Sequence, residues 1–132
     1  RQLKPNEAEV FVENNAVKVR LKGVQFGSNQ TVLNKKSTAL LEKVDQALGT
    51  VGASSIVVEG HTDSVGSAEA NKEISEKRAQ AVQNYLVQKG QIASDQVKAV
   101  GLGEEGAISD NKTSRGRAEN RRIDLVIEPR VE

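Results

Sequence analysis

Cysteine, methionine and tryptophan are absent from the 132-residue sequence, and its aromatic side chains are limited to Phe11, Phe26 and Tyr85. Without cysteine there is no disulfide framework, no thiolate metal site and no cysteine nucleophile, although this does not choose between a reducing and an oxidising compartment. The scarcity of aromatics leaves no stacking platform for nucleobases and requires a core built from Val, Leu, Ile and Ala. No uninterrupted apolar run exceeds three residues, Ile56-Val57-Val58 being an example, far short of the roughly 20 that a membrane-crossing helix requires. Direct membrane insertion by this segment is therefore not expected. An excess of one charge is also missing: 19 basic residues stand against 18 acidic ones, for a net charge of +1. No global field draws the molecule toward nucleic acid or an anionic membrane, so any recognition of charge must be local. The length suits one domain with a single core, and residues 1–132 are read as such.

Val10 and Val12, then Val17, Val19 and Leu21, alternate with a period of two on either side of Asn14-Asn15, which predicts a β-hairpin. Leu33, Leu40, Leu41, Val44 and Leu48 recur at helical spacing and predict a first helix, stopped by Gly49 and Gly52. Ile56-Val57-Val58 reads as a short strand buried on both faces, and His61 to Gly66 as a loop. From about Ser67 to Lys89 a second helix is predicted, capped by Ser67 and ended by Gly90, with Ile74, Ala79, Ala81, Val82, Tyr85 and Leu86 as its apolar face. Val97 to Gly101 predicts another strand. A polar, glycine-rich stretch over 102–113 and a short arginine-rich helix near Ser114 to Asn120 follow. Ile123, Leu125 and Ile127 alternate with Asp124 and Glu128 as a last strand before Pro129. Strands separated by helices predict an α+β fold, a two-layer sandwich with helices packed on one face of a mixed β-sheet and an N-terminal β-hairpin.

Three ordered stretches resemble the OmpA-like peptidoglycan-binding domain family. The first is Glu59-Gly60-His61-Thr62-Asp63-Ser64-Val65-Gly66, a strand-to-loop signature. The second is Asn71-Lys72-Glu73-Ile74-Ser75-Glu76-Lys77-Arg78-Ala79, followed by Val82 and Leu86, a helix motif in unbroken register. The third comprises Gly101-Leu102-Gly103-Glu104, Asn111-Lys112-Thr113, Gly116-Arg117 and Asn120-Arg121-Arg122. Together they cover about residues 24 to 128. The sequence departs from the family pattern at Gly27, where relatives often carry aspartate, at Ile74 for the usual leucine, and at Gly106-Ala107, where proline is common.

The resemblance implies a ligand, the diamino acid of the peptidoglycan stem, usually meso-diaminopimelate, whose free end carries an ammonium and a carboxylate on one carbon. A receptor for such a zwitterion needs an anion and a cation a few ångströms apart. Asp63 is assigned to the ammonium and Arg78 to the carboxylate, as a two-pronged contact that a planar guanidinium makes and a lysine does not. Asn71 and Arg78 are seven positions apart, close to two helical turns, and so share a face. Asn71 is expected to fix the loop through the backbone, and backbone amides around Thr62 and Asp63 to add donors. Arg121 aligns with a second arginine that approaches the ligand in the family. The resemblance further implies a periplasmic domain of an outer-membrane or cell-envelope protein, whose anchor or barrel lies elsewhere in the parent chain. The start at Arg1 rather than methionine fits a processed or excised segment.

Other chemistries have weaker signals. His61, the one histidine, is two residues from Asp63, but a zinc site needs three or four ligands and no second histidine or cysteine is present. A loop-holding role by hydrogen bonding is expected for it, and no cofactor or metal is implied. Glu59, Glu104 and Glu105 supply acids for the alternative of a wall-cleaving hydrolase, yet nothing places two carboxyls about a substrate bond. Arg115, Arg117, Arg121 and Arg122 form a basic cluster in sequence, but near-neutral charge and few aromatics argue against nucleic acid.

Overall fold

The computed structural model describes residues 4–24, 26, 30–51, 53–89 and 92–129. Five strands form one mixed sheet: β1 (Glu9–Glu13), β2 (Ala16–Leu21), β3 (Ala53–Gly60), β4 (Val97–Gly101) and β5 (Ile123–Pro129), in the order β1-β2-β5-β3-β4. The β1-β2, β2-β5 and β3-β5 pairs are antiparallel, and β3-β4 is parallel. Asn14 and Asn15, at φ 50° and 67°, form the two-residue turn that closes the β1-β2 hairpin. Two consecutive left-handed residues match the twist of the strands they join, and asparagine tolerates that conformation.

Helices α1 (Lys35–Val51), α2 (Ala68–Gln88) and α3 (Ser114–Asn120) complete the chain, with a 3₁₀ turn at Ser94–Gln96. The core joins Val19 and Leu21 of β2, Ile56 and Val58 of β3 and Ile123, Leu125 and Ile127 of β5 to Leu40, Leu41, Val44 and Leu48 of α1 and Ala79, Val82 and Leu86 of α2. The α+β sandwich expected from the pattern is present. Two details differ. Helix α1 runs through Gly49 to Val51, and Leu33 precedes it; Gly52 and Gly90 lie outside the described residues, and α2 is capped at Lys89. Strand β3 is buried on one face only: Ile56, Val58 and Gly60 are buried, whereas Ser55, Val57 and Glu59 are half-buried. Its outer face carries charged neighbours in place of a third layer, with Glu59 opposite Asp124 of β5.

Glycines set how closely α2 approaches the sheet. A Cβ on Gly60 would overlap the Ser75 carbonyl, and one on Gly101 would lie 2.5 Å from the Glu76 nitrogen. These two glycines are register partners at the ends of β3 and β4, so α2 lies directly against the strand ends from which the His61 to Gly66 loop departs.

Candidate functional site

The buried stripe of α2 changes character along its length. Ala79, Val82 and Leu86 supply its apolar half, but Asn71, Ser75 and Arg78 make up the first half. Ile74 and Ala81 are only half-buried. Ser67 caps this end, its hydroxyl accepting from the Ala70 amide at 3.1 Å. Burying polar side chains is costly unless each finds partners, and here loops supply most of them. Ser75 donates to the Lys72 carbonyl at 2.8 Å and accepts from the Gly103 amide at 2.9 Å. The Asn71 amide donates to the Asp63 carbonyl at 3.3 Å, the backbone-fixing role expected of it. The Thr62 amide donates to the Gly103 carbonyl at 2.8 Å, and its hydroxyl to the Asp63 carbonyl at 2.9 Å.

Asp63, 6% exposed, is held at both carboxylate oxygens. Oδ1 accepts from the Val65 amide at 3.1 Å, closing a turn, and Oδ2 accepts from Nη1 of Arg121 at 2.7 Å. Arg121 Nε donates to the Phe26 carbonyl at 3.1 Å. Arg78, 1% exposed, donates from Nε to the Gln30 carbonyl at 2.8 Å and lies 5.0 Å over the Phe26 ring. Burial, together with the nearby Arg121 charge, lowers the pKa of Arg78 to about 10, against the opposing pull of Asp63. The guanidinium therefore remains charged at neutral pH. The close ionic partner of Asp63 is Arg121.

Thr62, Asp63, Asn71, Arg78 and Arg121, the five residues singled out in the sequence, line one cavity of about 60 Å³ together with Val65 and Ile74. Asp63 is the one acid among these lining residues, set against two guanidiniums, so the cavity carries an excess positive charge. The contributions of Phe26 and Gln30 were not anticipated. Gly27, where the family pattern was broken, lies outside the described residues.

His61 is buried, with Nδ1 3.1 Å from the Glu105 carbonyl and its amide donating to the Arg122 carbonyl, the loop-holding geometry expected for it. The fold also brings Glu59 and Asp124 to it, with one ligand-type atom of each within 4.8 Å of the others. Sequence separation concealed this grouping. Cations already occupy these carboxylates: Arg20 and Arg122 each reach Asp124 at 3.2 Å, and Lys18 lies 4.0 Å from Glu59. The arginine-rich stretch does not form one patch. Arg117 donates to the Asn111 carbonyl, Arg115 is exposed beside Glu119, Arg121 enters the cavity and Arg122 is buried against Asp124.

Comparison with known proteins places this geometry in a family context. The OmpA family model matches residues 25–121. The chain is 38% identical over 112 residues to outer membrane porin F of Pseudomonas aeruginosa, covering 85% of the chain and 32% of the porin. It is 38% identical over 104 residues to the outer-membrane lipoprotein YfiB of the same organism, covering 79% of the chain and 61% of the lipoprotein. The chain thus spans about a third and three-fifths of these two relatives. Among solved structures, the peptidoglycan-associated lipoprotein from Burkholderia pseudomallei superposes with a TM-score of 0.72 at 33% identity, covering 79% of this chain and 87% of that one. With the family model spanning most of the sequence and the fold superposing on that lipoprotein, the chain belongs to the OmpA family.

Proposed function

We propose that this domain binds the peptide stems of peptidoglycan without reacting with them, and so tethers an outer-membrane or envelope protein to the wall from the periplasm. The observation that carries this reading is the cavity that gathers one carboxylate, Asp63, and two guanidiniums, Arg78 and Arg121, around about 60 Å³. One end of meso-diaminopimelate has the complementary groups. Asp63, whose oxygens have lone pairs beyond those given to Val65 and Arg121, accepts from the ligand ammonium. Arg78 supplies N–H donors to the ligand carboxylate, which also relieves the repulsion between the two guanidiniums. Asn71 and Thr62 hold the loop that presents Asp63. The similarity to a peptidoglycan-associated lipoprotein supports the wall as the partner. Asp63 is the single acid among the described lining residues, so they offer no second carboxyl to a hydrolase that needs two, which supports binding rather than cleavage.

Each charge-assisted hydrogen bond contributes about 1.5–3 kcal/mol net, and a few of them in a preordered loop amount to roughly 8 kcal/mol, or micromolar affinity. Attachment to a polymer then gains strength from many sites rather than one. Co-sedimentation with purified peptidoglycan, competed by free diaminopimelate, tests the proposal. Failure to sediment overturns it, and release of soluble wall fragments would favour a hydrolase.

A further inference from the structure

A larger cleft of about 410 Å³ shares Arg121 with the small cavity and is lined in part by Arg20, Lys22, Val24, Ile108 and Arg122. Arg121 is the residue that the two spaces have in common. The smaller space, about 60 Å³, is a small fraction of the larger cleft, so it suits the end of a ligand rather than a whole peptide. The remainder of any molecule anchored there must continue outward. The volume of the neighbouring cleft falls within the range of about 300–1,000 Å³ typical of small-molecule sites.

The chemistry of the cleft selects an anion. Lys22 is exposed and has no ion-pair partner among the described residues. Arg122 is the more informative residue. It is 5% exposed; Nε donates to Asp124 at 3.2 Å and Nη2 to the Gly106 carbonyl at 2.8 Å, while Nη1 is buried with no acceptor among the described residues. An idle N–H on a buried cation is unfavourable until an acceptor arrives. Burial also lowers the Arg122 pKa from its ordinary value. Of the two acids lining the cleft, Glu119 is engaged by the Ser109 hydroxyl and Arg115, and Glu9 stands opposite Arg20 in the β1-β2 register.

We propose that this cleft is a second anion subsite, taking the free carboxylate of the acidic residue that neighbours the zwitterion-bearing residue in the same stem peptide, with Arg122 and Lys22 as its partners. The inference rests on the reading given under proposed function and extends it from a single amino-acid end to a peptide. Stem glutamate is joined through its side-chain carboxyl, which leaves its α-carboxylate unpaired and one residue from the diamino acid. Val24, Ile108 and Ala118 line the same cleft and supply apolar contact for the methylenes between the two charged ends.

Isothermal titration of the whole chain with three synthetic probes tests this: free meso-diaminopimelate, the tripeptide L-Ala-γ-D-Glu-meso-diaminopimelate, and the same tripeptide with the glutamyl α-carboxylate amidated. The acidic tripeptide should bind about tenfold more tightly than its amide, the scale of one charge-assisted contact. Lys22→Glu and Ile108→Glu, each checked for an unchanged melting profile, should weaken the acidic tripeptide several-fold more than free diaminopimelate. Equal affinity for the acidic and amidated tripeptides, with diaminopimelate still bound, overturns the subsite alone. No binding of any of the three probes overturns the underlying reading, and the subsite with it.

Discussion

Asp63 and Arg121, 58 residues apart in the chain, meet through a 2.7 Å hydrogen bond between Oδ2 and Nη1, and the second carboxylate oxygen of Asp63 closes a turn on the Val65 amide. One side chain thus joins the end of β3 to the segment before β5 and shapes its own loop. Its two functions separate chemically: an amide retains the turn, and only a carboxylate retains the charge.

Asp63→Asn is therefore expected to keep the loop and lose the ligand. Affinity for diaminopimelate-containing stem peptide should fall at least about tenfold, while urea denaturation shows a loss of only about 1 kcal/mol, because Arg121 retains partial access to water. Equal affinity in calorimetry would remove Asp63 from the proposed site.

Arg78→Met separates binding from folding in the opposite manner. Methionine fills much of the same volume without a buried charge, so stability should stay within about 1 kcal/mol of the parent or rise, while stem-peptide binding is lost. Since burial lowers the Arg78 pKa to about 10, the cost of holding it charged is present in full below that pH and is relieved only as pH rises toward the ordinary value. The stability offset between variant and parent should accordingly be constant from about pH 5 to pH 9, as read by denaturation at several pH values.

Ser75→Ala leaves the Gly103 amide without the hydroxyl that it now reaches at 2.9 Å inside the protein. The expected loss is about 1–3 kcal/mol. Amide hydrogen exchange should localise the effect to the 102–106 loop, with Gly103 exchanging faster.

Gly60→Ala forces a methyl group against the Ser75 carbonyl. Helix α2 must then move from the sheet, at a cost of about 1–3 kcal/mol or more. Because α2 carries Asn71 and Arg78, the substitution should weaken stem-peptide binding although it touches no lining residue, and paired thermal melts and titrations will register both effects.

Much of this architecture is legible in the sequence. The Asn14-Asn15 hairpin, the run of α2 and the alternation of β5 follow from turn chemistry and periodicity, and the spacing of Asn71 and Arg78 predicts a common helix face. The half-burial of Val57 was not legible, since a β-branched residue in an apolar run reads as core from either side. The grouping of Glu59, His61 and Asp124 depends on the β3-β5 register, which no local pattern reveals. Backbone carbonyls left no residue-type signal either, so the anchoring of Arg78 on Gln30 and of Arg121 on Phe26 was invisible. Helix α1 passes through Gly49 because packing of its apolar side outweighs the modest propensity cost of one glycine.

Strand β5, latest of the five in the chain, occupies the middle of the sheet between β2 and β3. Until it is inserted, the hairpin and the β3-β4 pair have no ladder in common, and Arg121 has not been carried to Asp63. The sheet is thus two halves joined by one wedge, and a change that unseats β5 would part the hairpin from the β3-β4 pair and Arg121 from Asp63 together.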